Sequence, residues 1–262
     1  MTPDTALVRW LPVASIAEAD WPHLSALLPA EEQARAERFH FRRDWESYTA
    51  AHALLRGALT LLAAEVGLRV APAEWRFSIG DNGKPEPVLP AGSPPFRVNL
   101  SHTRGLAAVA VALDREIGVD VEWLDRTNLT IDLADRFFAP AECAQLVGLE
   151  AEAEKEALFA FWTLKEAYIK AVGMGLALPL GAFAYTLDPL SIAFDDRIQD
   201  DPDSWYFQRL RPTEGHVLAL AMRHEAPARA MLDAAPAGLA ALLRLAARRQ
   251  AMTGGPGRIS LI

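Results

Sequence analysis

Cysteine is almost missing: Cys143 is the only one in 262 residues. An intramolecular disulfide and a cysteine-ligated metal cluster are therefore excluded, and a cytoplasmic setting is expected. No apolar run is long enough to span a bilayer. The opening MTPDTALVRW lacks the basic-then-apolar layout of a secretory signal. Positive charge is in deficit. A formal net charge of −8 argues against general nucleic-acid binding, so any bound phosphate must be held by a local basic group. GxxxxGK[ST] and GxGxxG do not occur, which removes the two common nucleotide loops. Nor does GxSxG, the nucleophile elbow of the α/β-hydrolases. No His/Cys set has zinc-ligand spacing.

Composition is 51% apolar and 23% charged, as in a globular protein able to bury a real core. Apolar spacings of three and four predict helix from about Glu31 to Ala64, ended by Gly67 and Pro72. EWRFSI, FRVNLS, LAAVAVAL and EIGVDVEW read as strands, and GDNGKPEP as a turn in which Asn82-Gly83 suits positive φ. Helices follow in LTIDLADRFF and PAECAQLVGL and from about Glu154 to Val172, the last ended by Gly173 or Gly175. FAYTLD, SIAF, SWYFQRL and HVLALAMR are strands. Each half thus runs from helix to strands and closes on a small apolar strand. The fold class is α+β, with residues 1–115 and 116–225 as two similar subdomains. Residues 226–262, rich in Ala, Leu and Arg before a TGGPG break, read as an accessory helix and flexible tail.

Two short patterns carry chemistry. In GVDVE, Asp120 and Glu122 lie two apart on a strand, so their carboxylates share a face. In FWTLKEAYIK, Trp162, Glu166 and Lys170 lie four apart and share a helix face. An exposed strand face and a solvated ion pair are the ordinary readings of each pattern alone. Together the three carboxylates make an oxygen-rich site of the kind Mg²⁺ prefers. NLSHT adds Ser101 and His102 at a strand end, and NGKP adds Lys84 on a stiff turn followed by Pro85.

NLSHT, GVDVE and WTLKEAYIKAVGMGL, in this order, resemble the Sfp-like 4′-phosphopantetheinyl transferases. Agreement over RFHFRRD, AAHALLR, NGKP and RFFAPAE extends the likeness across about Glu31 to Leu180. The resemblance implies a pseudo-dimer of two α+β subdomains with coenzyme A in the cleft between them. It implies transfer of 4′-phosphopantetheine from coenzyme A to a serine of an acyl or peptidyl carrier protein, releasing adenosine 3′,5′-bisphosphate. Asp120, Glu122 and Glu166 match Mg²⁺ ligands, with Mn²⁺ as a substitute. Ser101, His102 and Lys170 match pyrophosphate contacts, with Glu166, Lys170 and His102 in catalysis. Lys84 and Pro85 match contacts to the adenosine end, and Arg35 falls where a basic residue meets the 3′-phosphate. Lys165 would reach the ligand from the cleft edge. Glu32 and Tyr48 depart from the pattern at that phosphate clamp, where Arg38, Arg42, Arg43 or His52 are substitutes. The expected enzyme is a cytoplasmic monomer with no nucleic-acid or membrane partner. A coenzyme A-binding module without turnover and a Mg²⁺-dependent nucleotide pyrophosphatase are the alternatives.

Overall fold

The computed structural model describes residues 2–80, 83–89 and 91–253. In chain order the strands and helices are β1 (Thr5–Pro12), α1 (Trp21–Ser25), α2 (Ala30–Ala36), α3 (Arg42–Glu65), β2 (Phe77–Ile79), β3 (Pro85–Pro87), β4 (Phe96–Thr103), β5 (Leu106–Leu113) and β6 (Ile117–Trp123). Then come α4 (Ile131–Phe137), α5 (Pro140–Leu146), α6 (Ala151–Val172), β7 (Phe183–Leu187), β8 (Leu190–Phe194), β9 (Trp205–Thr213), β10 (His216–Arg223), β11 (Met231–Pro236) and α7 (Leu239–Thr253). The chain is α+β, as its pattern predicts.

Two sheets stack face to face, each with a long helix on its outer side. One has the order β11-β1-β5-β4 and carries α3; the other has the order β6-β10-β9 and carries α6. Period-2 side-chain direction explains the layering. In β5, Leu106, Ala108, Ala110 and Ala112 enter the cluster between the sheets, while Ala107, Val109, Val111 and Leu113 face the α3 side. A strand packed on both faces has room only for compact apolar groups, which is why LAAVAVAL carries no long or charged side chain. In β6, Ile117, Val119 and Val121 join the inter-sheet cluster, leaving Gly118, Asp120 and Glu122 to the α6 side.

Gly118 sets the distance between that strand and α6. A Cβ at this position would lie 2.0 Å from the Ala167 carbonyl oxygen and 2.4 Å from the Ala171 nitrogen. No side chain fits, so helix backbone rests directly on the strand, and Asp120 and Glu122 emerge beside the turn of α6 bearing Glu166 and Lys170. The helix ends at Gly173, whose φ of +76° puts it in the left-handed region and whose N–H donates to the Ile169 oxygen.

Three expectations change. The helix predicted over 31–64 is two helices, α2 and α3. Both Glu32 oxygens accept from Arg56, at 2.8 Å each. On one continuous helix, residues 24 apart would be about 36 Å apart, so the chain has to fold back between them. The segment from Ala226 is not helical at first: β11 runs parallel to β1, from Thr5 opposite Met231 to Trp10 opposite Pro236. Only then does α7 form, with Leu242 buried against Gly57 of α3. The last segment is therefore built into the first half's sheet and core. Third, Lys165 is not at a cleft edge. It is fully buried, as is its partner Glu142, 2.7 Å away. Its ammonium also donates to the Leu180 and Phe183 carbonyls at 2.8 and 2.7 Å. Of the NGKP turn, Gly83 has φ of +84°; Asn82 lies outside the described residues, as does the predicted tail beyond Thr253.

Candidate active site

Where β4 meets the edge of β6, side chains replace a strand ladder. Asn99 accepts from the Val119 N–H at 2.9 Å and Ser101 Oγ accepts from the Val121 N–H at 3.3 Å. This junction holds Ser101 against Asp120: its hydroxyl donates to Asp120 Oδ1 at 3.0 Å. Lys170 reaches in from α6 and donates to the same Oδ1 at 2.6 Å and to Ser101 Oγ at 3.1 Å. Asp120 is 4% exposed, and its other oxygen, Oδ2, is buried with no hydrogen-bond partner among the described residues. A buried lone carboxylate oxygen is costly unless something cationic or protic meets it.

Glu122, one pleat along, turns its Oε1 to Arg126 and to Trp162 Nε1, the latter at 3.1 Å. Burial, and then the Asp120 charge, push its carboxyl up to about 7, against the opposing pull of Arg126 and Trp162. Glu166 is raised for the same two reasons, burial first and Asp120 next. Its flanking lysines offset this only in part, because Lys165 is paired with Glu142 and Lys170 with Asp120. Three carboxylates thus crowd one another, and the site is short of positive charge. Among the described residues no three His, Cys, Asp or Glu groups converge to metal-ligand distance, since Glu122 is turned aside and Lys170 stands against Asp120.

Glu166 and Lys170 open on a cleft of about 290 Å³ lined also by Lys84, Pro85, Asn99 and Gly173. Lys84 crosses from the first half to the second, donating to the Ala171 and Ile117 carbonyls at 2.7 and 3.2 Å. Burial lowers its pKa. Its charge lies at the C-terminus of α6, where the helix dipole favours a cation. His102 points elsewhere. It meets solvent at the seam of two recesses, one of about 740 Å³ with Tyr48 and Arg43 and one of about 480 Å³ with Glu122 and Arg126. Although its ring meets solvent, surrounding protein, then His52 and Lys170, lower its pKa.

The arrangement is a carboxylate cluster, a lysine and a histidine at the junction of two helix-backed sheets. The model of the 4′-phosphopantetheinyl transferase superfamily matches residues 116–221, which contain all three carboxylates. The 4′-phosphopantetheinyl transferase HetI of Nostoc sp. is 35% identical over 205 residues, covering 78% of this chain and 82% of that protein. The 4′-phosphopantetheinyl transferase of Bacillus subtilis is 32% identical over 165 residues, covering 63% of this chain and 68% of that one. The chain belongs to the 4′-phosphopantetheinyl transferase superfamily. A phosphopantetheinyl transferase of Thraustochytrium sp. extends the likeness, at 31% identity, to 249 residues, 89% of this chain and 83% of that one.

In this transferase the departure at Glu32 has a structural role. Burial raises the Glu32 carboxyl, but His52 close by and the Arg56 guanidinium bonded to it outweigh that and bring the pKa down to about 2. Glu32 is therefore a fixed anion between α2 and α3, and His52 Nδ1 lies 3.1 Å from it. Tyr48 stacks on His52 with ring centres 4.0 Å apart, and the Arg35 guanidinium lies 5.7 Å from the Tyr48 ring centre. Arg35 itself is exposed. Of the proposed clamp substitutes, Arg42 is committed to Glu18 and Glu46.

Sequence reasoning did not single out Arg126, Asn99 or Glu142. Arg126 had a signal, its place four residues after Glu122. Asn99 and Glu142 had none, because their partners are backbone N–H groups and a lysine brought near only by the fold. Trp162 lies half-buried at the margin of the core under α6, with its N–H on Glu122.

Proposed function

We propose that this transferase moves 4′-phosphopantetheine from coenzyme A to a carrier-protein serine, with Mg²⁺ held by Asp120, Glu122 and Glu166. The observation that carries the metal reading is the partnerless Oδ2 of buried Asp120 beside two carboxylates whose pKa values are raised. Such a donor set, all oxygen and in need of positive charge, suits a hard divalent cation. When bound, the ion neutralises pyrophosphate charge as a Lewis acid.

The chain's own groups do the rest. Lys170 exchanges Asp120 for a phosphate oxygen within the reach of one side chain. Ser101 holds Asp120 in place, and His102 supplies a hydrogen bond from the neighbouring recesses on which it opens. Glu166, half-buried and raised in pKa, takes the proton from the carrier serine. The serine oxygen then bonds to the phosphorus bearing pantetheine, the pyrophosphate P–O bond breaks, and adenosine 3′,5′-bisphosphate leaves. Lys84 and Pro85 line the adenosine end of the cleft. The protein needs no nucleophile of its own, because the serine belongs to the partner.

The deciding experiment mixes the protein with coenzyme A, Mg²⁺ and an apo carrier protein and follows intact mass. The carrier should gain one phosphopantetheinyl group, and a chelator should stop the gain until Mg²⁺ or Mn²⁺ is returned. Coenzyme A cleavage without a carrier would point to a pyrophosphatase, and binding without turnover to a non-catalytic module.

Arg35 is the proposed partner of the 3′-phosphate. Arg35→Ala should weaken coenzyme A binding about tenfold, the loss of one charge-assisted hydrogen bond. Binding of 3′-dephospho-coenzyme A should barely change. Calorimetry with both ligands checks this, and equal losses would move the contact to Arg38, Arg43 or His52.

The division into subdomains 1–115 and 116–225 is likewise our reading. It is supported by the separate cores under α3 and α6, with β11 and α7 returning to the first. The pseudo-dimer relation rests on the helix-backed sheet found in each half. A cytoplasmic monomer is the form in which we expect the enzyme to work; among the described residues no helix is long and apolar enough to cross a membrane.

A further inference from the structure

After Trp123 the chain turns, with the Arg126 N–H donating to the Trp123 oxygen at 3.1 Å, and this brings Arg126 back over the strand it has just left. Its Nη1 pairs with Glu122 Oε1 and its Nε with Asn128 Oδ1. Its guanidinium carbon lies 5.5 Å from the Trp162 ring centre, and Trp162 Nε1 donates to the same Glu122 oxygen at 3.1 Å. Glu122 Oε1 therefore carries two donors, one of them a full positive charge. Asp120, the neighbouring carboxylate, keeps one buried oxygen unpartnered.

We propose that Arg126 is a positioning residue that competes with the divalent cation for Glu122. A guanidinium paired with Glu122 Oε1 and a metal ion on the same carboxylate would be two cations sharing one anion, so each weakens the other's hold. The Trp162 N–H carries no charge. It stays on the carboxylate in both states and orients it, as an outer-shell donor does. Arg126 has a place to go: the recess of about 480 Å³ that it lines with His102, Thr103 and Arg104. There the released guanidinium faces the side from which an anionic substrate meets His102. Cation and Arg126 thus trade Glu122, and the free enzyme is biased against loading metal before substrate arrives to receive the arginine. Linkage makes the effect reciprocal: whatever draws Arg126 into the recess tightens metal binding by the same factor.

This inference rests on the three-carboxylate reading, and the test separates the two. Mn²⁺ binding to the protein alone, without coenzyme A, is measured by electron paramagnetic resonance. The proteins compared are the parent, Arg126→Gln, Arg126→Lys, Arg104→Gln and Asp120→Asn. Arg104 is the charge control: it lines the same recess, with its guanidinium 4.5 Å from the Trp123 ring centre. Arg126→Gln should bind Mn²⁺ at least about fivefold more tightly, the lower end of ordinary coupling. Arg104→Gln should bind as the parent does, and Arg126→Lys, which keeps the charge, should stay near the parent. Equal tightening in Arg126→Gln and Arg104→Gln would overturn the competition in favour of a diffuse charge effect. No tightening in Arg126→Gln, with Asp120→Asn weakened, would overturn the competition and leave the metal site standing. Identical binding by all five proteins would remove both.

Discussion

Glu166→Gln is expected to lower kcat for transfer by about 10²–10⁴-fold, the range a positioned base contributes, while leaving the protein folded. The two halves of this expectation have separate causes. No hydrogen bond or ion pair holds Glu166 among the described residues; its electrostatic neighbours are Asp120, which repels it, and Lys170 and Arg126, which do not touch it. An isosteric neutral amide removes a repulsion and breaks no contact, so the melting temperature should hold or rise slightly. On the proposed mechanism the chemistry loses two things together: an anion from the metal site and the acceptor for the serine proton. Single-turnover transfer to an apo carrier, followed by intact mass beside a thermal melt, reads both. Near-normal turnover at saturating Mg²⁺ would exclude Glu166 from both roles.

Lys165→Met is expected to cost about 3–5 kcal/mol of stability, the usual penalty for stripping one partner from a buried ion pair. Glu142 is fully buried and is fixed from three sides: Lys165, the Ala139 N–H at 2.9 Å and the Tyr185 N–H at 3.0 Å. Burial pushes the Glu142 carboxyl up and the Lys165 ammonium down, each opposed by the other's charge. Methionine fills nearly the same volume, so packing is conserved and the loss reports the stranded carboxylate and the two carbonyls that lose their donor. Those groups join α5, α6 and the chain entering β7. Denaturant unfolding measures the cost. Adding Glu142→Gln should restore part of it, because the stranded charge is gone and one of the two backbone N–H donors keeps an acceptor. A single variant within about 1 kcal/mol of the parent would show that the pair is not what ties α6 to the segment after it.

The lysine and glutamate side by side in WTLKEAYIK thus separate into different roles, and the division marks how far a one-dimensional reading reaches. Helical geometry places Lys165 about 100° from Glu166, which the sequence contains. It does not contain the direction of the core, and Lys165 points into it. A residue read as reaching for ligand is a buried strut, because its partner Glu142 lies 23 positions earlier and its carbonyl partners 15 and 18 positions later. The break between α2 and α3 and the strand β11 were hidden for a related reason. A short polar-aromatic stretch satisfies helical spacing locally, and six residues of mixed character declare a strand only when β1 offers them an edge.

By itself the sequence determined what depends on backbone periodicity and local sterics. Alternation along GVDVE put Asp120 and Glu122 on one face, 3.6-residue periodicity put Glu166 above Lys170, and glycines marked positions where a Cβ is unwelcome. Only the tertiary structure decided how charges distribute among partners. Lys170 was given to Asp120, Lys165 to Glu142, Arg56 to Glu32 and Arg126 to Glu122. A buried charge is costly unless it meets an opposite charge or polar group, and nearness across dozens of residues is created by packing two sheets and two long helices together.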